Sequence, residues 1–277
     1  MTESTSVRND YAGDLDVIEA RAWADLHRAA TDEVVATCGV GALEIGSVFL
    51  GSAAKIDVLA FNRAIGLGLD HPASDQAIDL MIEHYAHAGV PRFFVQVHPL
   101  AAQSGLPTIL ESRGLTHHNN WVKLRRGVEN LPDVATDLRI EEIAADRAES
   151  FATILVTSFA WPKPVTSWIA LTVGRPNWRH YLAFDGAAPV ATAAFFAQGE
   201  HAWFDMAGTL EGYRGRGAQK ALIARRVRDA RAMGCTRLVV ETEEEIGDNA
   251  AVSLRNVRRL GFEVAYVRPN YIYAADL

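Results

Sequence analysis

Two glycines interleaved with two arginines in the second half of the chain are the residues that most directly predict chemistry. Gly215 and Gly217 allow backbone N–H groups to approach a ligand closely. The helical pattern that begins near Ala218 directs the positive end of its dipole, roughly half a charge, at the same place. Arg214 and Arg216 add fixed positive charge beside it. The segment therefore predicts a cradle for a phosphate or pyrophosphate, and the alternative is a glycine-rich turn that only begins a helix.

The segment fits neither of the two familiar nucleotide-binding loops. A nucleoside-triphosphate loop requires Gly-Lys followed by Ser or Thr, whereas Gly217 is followed by Ala218. A dinucleotide fingerprint would take its first two glycines from Gly215 and Gly217 and its acid from Glu241, but Lys220 replaces the third glycine. A dinucleotide-dependent enzyme therefore stays as a weaker alternative.

Residues 138–277 resemble the GNAT superfamily of acyl-CoA N-acyltransferases. The pyrophosphate loop of that family reads Arg/Gln-x-x-Gly-x-Gly/Ala, and Arg214 and Gly217 take the first and fourth places. Gln219 takes the sixth place, which departs from the usual small residue but is similar to a bacterial subgroup of two-domain GNAT proteins. Further blocks follow in the order of the family, at residues 241–243, 253–256 and 260–262.

The resemblance implies acetyl-CoA as the acyl donor, with no metal ion. In relatives the pantetheine arm adds to the sheet like an extra strand, and the loop and helix start hold the pyrophosphate. The matching positions here are Ala207, Gly208, Thr209, Arg214, Gly215, Arg216, Gly217, Ala218, Gln219 and Ser253. The asparagine that relatives place beside this serine is displaced to Asn249.

Chemistry on an amine requires a proton acceptor, because an alkylamine with a pKa of about 10.4 is almost fully protonated at pH 7. Glu241 and Asp205, on two predicted strands beside the loop, are the candidate general bases, and ordinary solvated or paired carboxylates are the alternative. Val257 stands where many GNAT enzymes have the tyrosine that protonates the leaving thiolate. Tyr266 or water is the substitute, and the alternative for Tyr266 is a buried core aromatic.

Composition indicates a soluble enzyme with two modest cores. The chain has 277 residues, 49% of them hydrophobic, and a net charge of −7, which argues against nucleic acid or an anionic membrane as partner. Cys38 and Cys235 are too few for a disulfide framework. No apolar run reaches membrane length and the first residues lack signal-peptide features, so we expect a cytoplasmic protein. The expected partners are a small-molecule amine and, as one option, a second copy in a homodimer.

Strand and helix patterns alternate through the second half. Strands are predicted at residues 138–140, 178–184, 189–196, 202–208 and 237–241, followed by two strands, 262–267 and 271–273, split by Pro269. Helices are predicted at residues 146–159, 168–173, 218–234 and 253–260. This order predicts a mixed α/β sandwich.

The first half reads as a degenerate copy of the second. Helices at 75–88 and 106–113 end at Gly89 and Gly114, strands follow at 92–97 and 121–124, and residues 117–120 read as a turn. The segment equivalent to the cradle, residues 68–74, has no arginine and carries Asp70, which would repel a pyrophosphate.

We therefore predict an α/β protein with two tandem GNAT-like domains, each a mixed, mostly antiparallel sheet flanked by helices. Residues 1–127 form the degenerate domain and residues 138–277 the catalytic domain that binds acetyl-CoA. The predicted activity is N-acetyltransfer from acetyl-CoA to a primary amine of a small molecule, by direct attack in a ternary complex. A non-catalytic acyl-CoA-binding or sensor protein is the alternative, because Val257 cannot supply an acid.

Overall fold

The computed structural model describes residues 12–244 and 252–275 of the 277-residue chain. The chain divides into two compact units that are discontinuous in sequence. Unit 1 contains residues 12–28, 35–122 and 265–275, and unit 2 contains residues 29–34 and the described part of 123–264. Each unit has a mixed, mostly antiparallel sheet with helices packed against it, which confirms the predicted fold class.

Unit 1 has the strand order β1-β2-β3-β4-β11. Its first three strands, β1 (Val40–Ile45), β2 (Val48–Ala53) and β3 (Arg63–Ile65), pair antiparallel, and β4 (Arg92–Gln96) is parallel to β3. The strand β11 (Glu263–Ala274) pairs antiparallel with β4. The helices are α1 (Ala12–Arg28), α3 (Asp75–His87), α4 (Pro99–Gln103) and α5 (Leu106–Ser112), and α2 (Asp32–Cys38) contributes residues to both units.

Aromatic packing holds the last strand of the chain in unit 1. Tyr271 joins the buried apolar cluster that α3, α5 and β4 supply. Phe93 stacks on Tyr85 with ring centroids 3.9 Å apart and on Tyr273 at 5.2 Å. Buried aromatic side chains contribute large apolar areas, so these contacts anchor β11 beside β4.

Unit 2 has the strand order β5-β10-β9-β8-β7-β6. The pairs β6–β7, β7–β8 and β8–β9 are antiparallel and β9–β10 is parallel. The strands are β6 (Arg139–Glu142), β7 (Trp178–Asp185), β8 (Ala188–Gln198), β9 (His201–Thr209) and β10 (Arg237–Glu243), with part of β5 (Thr116–Arg126). The helices are α6 (Ala148–Ser158), α7 (Val165–Ala170), α8 (Ala218–Ala232) and α9 (Val252–Arg259).

The last strand of each half of the sequence is exchanged between the two sheets: β5, from the N-terminal half, contributes residues to unit 2, and β11, from the C-terminal half, contributes residues to unit 1. Residues 265–274 of β11 pair with β4 in unit 1, and residues 123–126 of β5 belong to unit 2, where β5 neighbours β10. The compact units therefore differ from the predicted domains 1–127 and 138–277. Local sequence pattern carries no information about which strand a distant segment will pair with, so the exchange was not predictable from it.

Two local predictions are wrong. The strand β11 is continuous through Pro269, because proline lacks only the N–H and its carbonyl still accepts the N–H of Val97 at 2.9 Å. Residues 117–120 lie within β5 and not in a turn. Their polar side chains are compatible with a strand because this part of β5 is exposed or half-buried. No helix among the residues that the structure describes is long and apolar enough to cross a membrane.

Candidate functional site

A fork opens between β9 and β10. Their parallel pairing runs from His201 opposite Arg237 to Phe204 opposite Val240, and both strands continue beyond the last pair. On its other side β9 carries a bulge, because Ala194 of β8 lies opposite Asp205. Two residues earlier on β8, Thr192 lies opposite Gly208, so β9 has one extra residue between these pairs, with Met206 at φ 51°. A bulge bends its strand, and the backbone beyond the fork is available to a ligand.

The bulge turns Gly208 towards α6. Residues directly opposite each other on antiparallel strands point to the same face, so Gly208 shares a face with Thr192. A Cβ atom at Gly208 would lie 2.8 Å from both Cβ and Oγ of Ser158. The end of α6 therefore closes on β9 at a distance that only glycine permits.

The segment of the predicted anion cradle connects β9 to α8 through two glycines with positive φ. Gly215 and Gly217 have φ values of 83° and 84°, which are strained for other residues. Gly217 is the N-cap of α8 and supplies no side-chain hydrogen bond to the first turn. The N–H groups at this end of α8 are therefore open to an anionic ligand.

The two arginines of the cradle have different roles. Arg214 is exposed and lines the cleft in front of α8. Arg216 makes a bidentate ion pair with Asp185, at 2.8 and 3.1 Å, and a second ion pair with Asp137. These hydrogen-bonded carboxylates raise the pKa of Arg216. The predicted cofactor contact of the Arg216 side chain is therefore corrected, because its guanidinium holds the loop to the neighbouring strands.

Gln219 connects the start of α8 to α9. Its Nε2 donates to Ser253 Oγ at 3.0 Å, and its Oε1 accepts from Asn256 Nδ2 at 2.7 Å. A small residue at position 219 could make neither bond, which explains its departure from the usual pattern. Asn249, the displaced asparagine, lies outside the described residues, whereas Asn256 lines the cleft.

The β9 side of the fork and the cradle line one cleft of about 650 Å³, and no residue of β10 is among its described lining residues. Its lining includes every predicted cofactor residue except Arg216, namely Ala207, Gly208, Thr209, Arg214, Gly215, Gly217, Ala218, Gln219 and Ser253. Among the described lining residues, three are cations, Arg214, Lys220 and Arg226, and none is an acid. In a chain with a net charge of −7, this local excess of positive charge indicates an anionic ligand.

Both candidate bases lie at the fork. Asp205 and Glu241 each directly follow the last paired residue of their strand. Glu241 accepts an ion pair from the ammonium group of Lys123, with Nζ 3.1 Å from Oε2. The Lys123 side chain is fully buried and the Glu241 side chain is 8% exposed. The structure therefore brings the two predicted carboxylates to one place.

Tyr266 does not fulfil the predicted role of general acid. It lies in unit 1, where its hydroxyl donates to Asp16 Oδ1 at 2.8 Å. Burial raises the pKa of Tyr266 well above its usual range, so the hydroxyl holds its proton tightly. Tyr266 is half-buried and its ring packs against His98 with centroids 4.6 Å apart, so its contacts favour a packing role over that of an acid. Val257 is 3% exposed and packs in the interior of unit 2.

In unit 1, the segment that corresponds to the cradle already makes hydrogen bonds within the protein. Ser74 caps α3, because its Oγ accepts the N–H of Ala77 at 3.2 Å. Asp70 accepts the N–H of Ser47 at 2.8 Å. The helix start that corresponds to the cradle of α8 is thus already satisfied, which supports assignment of the ligand to unit 2.

Several cleft residues were missed by sequence reasoning. Ser158 Oγ and Thr192 Oγ1 are buried atoms that line the cleft without a hydrogen-bond partner among the described residues. Arg226 reads in sequence as part of a solvated helix face, but it is 2% exposed and donates to Ala194 O at 2.9 Å. Burial lowers the pKa of Arg226 to about 10. Lys123 belongs to a distant segment, and no local signal connects it with the fork.

Metal ligation finds no support in this part of the chain. Within residues 12–244 and 252–275, no group of three or more His, Cys, Asp or Glu side chains is arranged to hold a metal ion.

Comparison with known proteins identifies the family of this site. The sequence profile of the Acetyltransferase (GNAT) family matches residues 142–262, and the comparison with curated proteins produced no match. A GCN5-related N-acetyltransferase from Kribbella flavida is 18% identical with a TM-score of 0.61, over 92% of this chain and 95% of that one. A GCN5-related N-acetyltransferase from Sphaerobacter thermophilus is 15% identical with a TM-score of 0.60, over 96% and 93%.

A tandem GNAT protein from the clavulanic acid biosynthesis pathway is 13% identical with a TM-score of 0.55, over 98% of this chain and 97% of that one. These structural likenesses show the fold, and the profile places the family on the segment that contains the fork and the cradle. The GNAT family transfers acyl groups from acyl-CoA. The chain therefore carries a GNAT acetyltransferase domain at residues 142–262, within a fold shared with tandem GNAT proteins.

Proposed function

We propose that unit 2 transfers an acetyl group from acetyl-CoA to a primary amine of a small molecule, by direct attack in a ternary complex. The observation that carries this proposal is that residues 207–209 of β9, beyond the fork, and the uncapped start of α8 line one cleft of about 650 Å³. That volume lies within the usual range of ligand sites. The cleft thus offers strand backbone for an amide-containing arm and positive charge for a pyrophosphate.

The described residues fit such a ligand. Arg214, Lys220 and the N–H groups at the start of α8 would hold the pyrophosphate, and the backbone of residues 207–209 would hold the pantetheine amides. The buried hydroxyls of Ser158 and Thr192 offer two further hydrogen bonds. Acetyl-CoA supplies an activated acyl group whose leaving atom is a thiolate sulfur.

The fork residues would supply the proton chemistry. Glu241 or Asp205 accepts a proton from the acceptor ammonium, which frees the nitrogen lone pair for attack. The new nitrogen–carbon bond replaces the carbon–sulfur bond, the electron pair departs on sulfur, and the nitrogen releases its second proton to solvent. Solvent can protonate this sulfur, because a thiol with a pKa of about 8.5 is a good leaving group without an acid.

One observation favours a second function, that of a non-catalytic acyl-CoA-binding or sensor protein. Val257 is buried where many GNAT enzymes have an acid, and the Tyr266 hydroxyl is engaged with Asp16 in unit 1. Release of thiol from acetyl-CoA that increases when an amine is added would reject this second function.

The cradle predicts how the protein responds to ligands. Acetyl-CoA and coenzyme A at saturating concentration are expected to raise the melting temperature by several degrees, whereas NAD and ATP are not. Arg214→Glu is expected to weaken acetyl-CoA binding by roughly 10- to 100-fold, because it removes a charge-assisted contact and adds repulsion. Differential scanning fluorimetry and calorimetric titration measure the two effects.

Arg216→Gln is the matched control for Arg214→Glu. Its ion pairs with Asp137 and Asp185 are partly exposed, so we expect a small loss of stability and a smaller loss of affinity than for Arg214→Glu. A melting temperature that rises with NAD and not with the CoA ligands would replace the proposal by the dinucleotide-dependent alternative.

A further inference from the structure

We propose that Lys123 and Glu241 act as one unit at the fork, with Glu241 as the proton acceptor and Lys123 as its positioning residue. Lys123 comes from β5, the last strand of the N-terminal half of the chain. That half would thus complete the transfer site by supplying one side chain. The inference rests on the proposed transferase function and adds a residue to it.

The geometry of the pair carries the first step. Lys123 Nζ lies 3.1 Å from Glu241 Oε2, and both side chains are nearly or fully withdrawn from solvent. A buried ammonium group is costly unless a carboxylate accompanies it, so the pair holds Glu241 ionised and in one orientation. The ion pair engages Oε2 of the carboxylate to which the acceptor proton is assigned.

The internal repeat of the chain supplies an independent comparison. Glu241 lies seven residues after Gly234, and Gln96 lies seven residues after Gly89. Lys123 lies nine residues after Gly114, and Asn270 lies nine residues after Gly261. Because the last strands are exchanged, Gln96 and Asn270 are the counterparts of the pair in unit 1.

The counterparts are also neighbours, but they are neutral. Asn270 lies opposite Gln96 in the pairing of β11 with β4, and the two residues are 0% and 1% exposed. Asn270 Nδ2 donates to Asn119 Oδ1 at 2.7 Å. One buried position in the repeat is thus occupied by a charged pair in unit 2 and by an amide pair in unit 1. Gln96 Nε2, Gln96 Oε1 and Asn270 Oδ1 have no hydrogen-bond partner among the described residues. Burial of neutral amides still has a smaller electrostatic cost than burial of two charges, so retention of charge beside the fork points to use of that charge.

The proton balance of the step is simple. The acceptor ammonium gives one proton to the Glu241 carboxylate, and its nitrogen then bonds to the acyl carbon. The carbon–sulfur bond breaks with its electron pair on sulfur, and the nitrogen gives its second proton to solvent or to the thiolate, which leaves a neutral amide. Glu241 returns the proton to solvent or to the thiolate. Lys123 keeps its own proton throughout, so it contributes position and charge and takes no part in the transfer.

The test compares Glu241→Gln, Lys123→Arg, Lys123→Met and the double variant Lys123→Asn/Glu241→Gln, which writes the amide pair of unit 1 into unit 2. Thiol release from acetyl-CoA is followed with benzylamine, with aniline and with water, and each variant is also melted without ligand. Aniline is the informative acceptor because its nitrogen is already neutral at pH 7.

Glu241→Gln is expected to lower kcat with benzylamine about 100-fold or more, and to lower kcat with aniline much less. Lys123→Arg keeps the charge and is expected to retain more kcat than Lys123→Met, with an unchanged KM for acetyl-CoA. The single change Glu241→Gln leaves a buried ammonium group uncompensated and is expected to lower the melting temperature by roughly 10 °C. The double variant is expected to melt close to the parent and still lack activity with benzylamine.

If Lys123 had a role in packing alone, Lys123→Met would retain more kcat than Lys123→Arg, because methionine matches the shape of lysine better than arginine does. Two results would overturn the proposed role of the pair while leaving acetyl-CoA transfer in place. One is equal activity of Lys123→Met and the parent, and the other is an equal loss of kcat with benzylamine and with aniline in Glu241→Gln. A parent protein that gains no thermal stability from acetyl-CoA would overturn the transferase function instead. Binding of acetyl-CoA without thiol release to any acceptor would overturn the pair in favour of the sensor function.

Discussion

Gly208→Ala is expected to destabilise unit 2 by about 1–3 kcal/mol and to lower acetyl-CoA affinity at least tenfold. A Cβ atom at this position would lie 2.8 Å from Cβ and Oγ of Ser158 and 3.7 Å from Cα of Leu155. Either α6 or β9 must then move, and β9 is the strand that forms one side of the fork. Urea denaturation and calorimetric titration with acetyl-CoA measure the two losses.

A second substitution, at Ser158, tests whether overlap with the added Cβ atom causes the loss of affinity in Gly208→Ala. Ser158→Gly removes both atoms that Gly208→Ala would meet, whereas Ser158→Ala leaves the Cβ atom in place. Gly208→Ala/Ser158→Gly is therefore expected to recover the affinity that the overlap costs, but not the hydrogen bond that the Ser158 hydroxyl offers the ligand, after allowance for about 1 kcal/mol of stability that a glycine costs near a helix end. Gly208→Ala/Ser158→Ala is expected to recover little. Equal affinities of the two double variants would show that the overlap does not cause the loss.

Low pH is expected to destabilise the protein because it contains buried, neutral histidines that are protonated only on unfolding. Among these described histidines, His180 in unit 2 has the most strongly lowered pKa. Burial, with a smaller effect of Arg179, lowers the pKa of His180 to about 3. Its Nε2 lies 2.9 Å from Thr172 Oγ1, whose hydroxyl donates to Ile169 O at 2.7 Å. His180 therefore donates from Nε2, and the folded protein has no favourable place for a second proton on this ring.

The sign of the pH dependence follows from proton binding by the two states. Between pH 6.5 and about 3 the unfolded state protonates His180 and the folded state does not, so the free energy of unfolding falls as the pH falls. For each pH unit below 6.5 the free energy of unfolding falls by about 1.4 kcal/mol, so at pH 4 the loss is about 3 kcal/mol. His27 in unit 1 adds a loss of the same sign, because burial lowers its pKa to about 4.

His180→Gln is the variant that isolates this effect. Glutamine can donate to Thr172 Oγ1 but does not titrate, so the variant is expected to lose about 3 kcal/mol less than the parent between pH 7 and pH 4. Urea denaturation at several pH values measures the difference in slope. Identical slopes for variant and parent would mean that the folded protein accommodates the proton on His180.

The sequence by itself determined the elements and the ligand-binding segment. Local patterns predicted the helices and strands of the second half, since hydrophobic period and end glycines are properties of neighbouring residues. Local pattern also predicted the cradle segment, because Gly215, Gly217 and the start of α8 act through their own backbone. The cleft accordingly contains nearly all of the predicted cofactor residues.

Only the tertiary structure decided which side chains meet at the site. Arg214 and Arg216 are two residues apart in sequence, yet only Arg214 lines the cleft, because Asp137 and Asp185 engage Arg216. Tyr266 is four residues beyond the predicted start of its strand and belongs to unit 1. Lys123 reaches Glu241 because β5 neighbours β10 in unit 2. Strand exchange and ion pairing join segments that are distant in sequence, and such partners are selected by packing of the whole fold and not by local pattern.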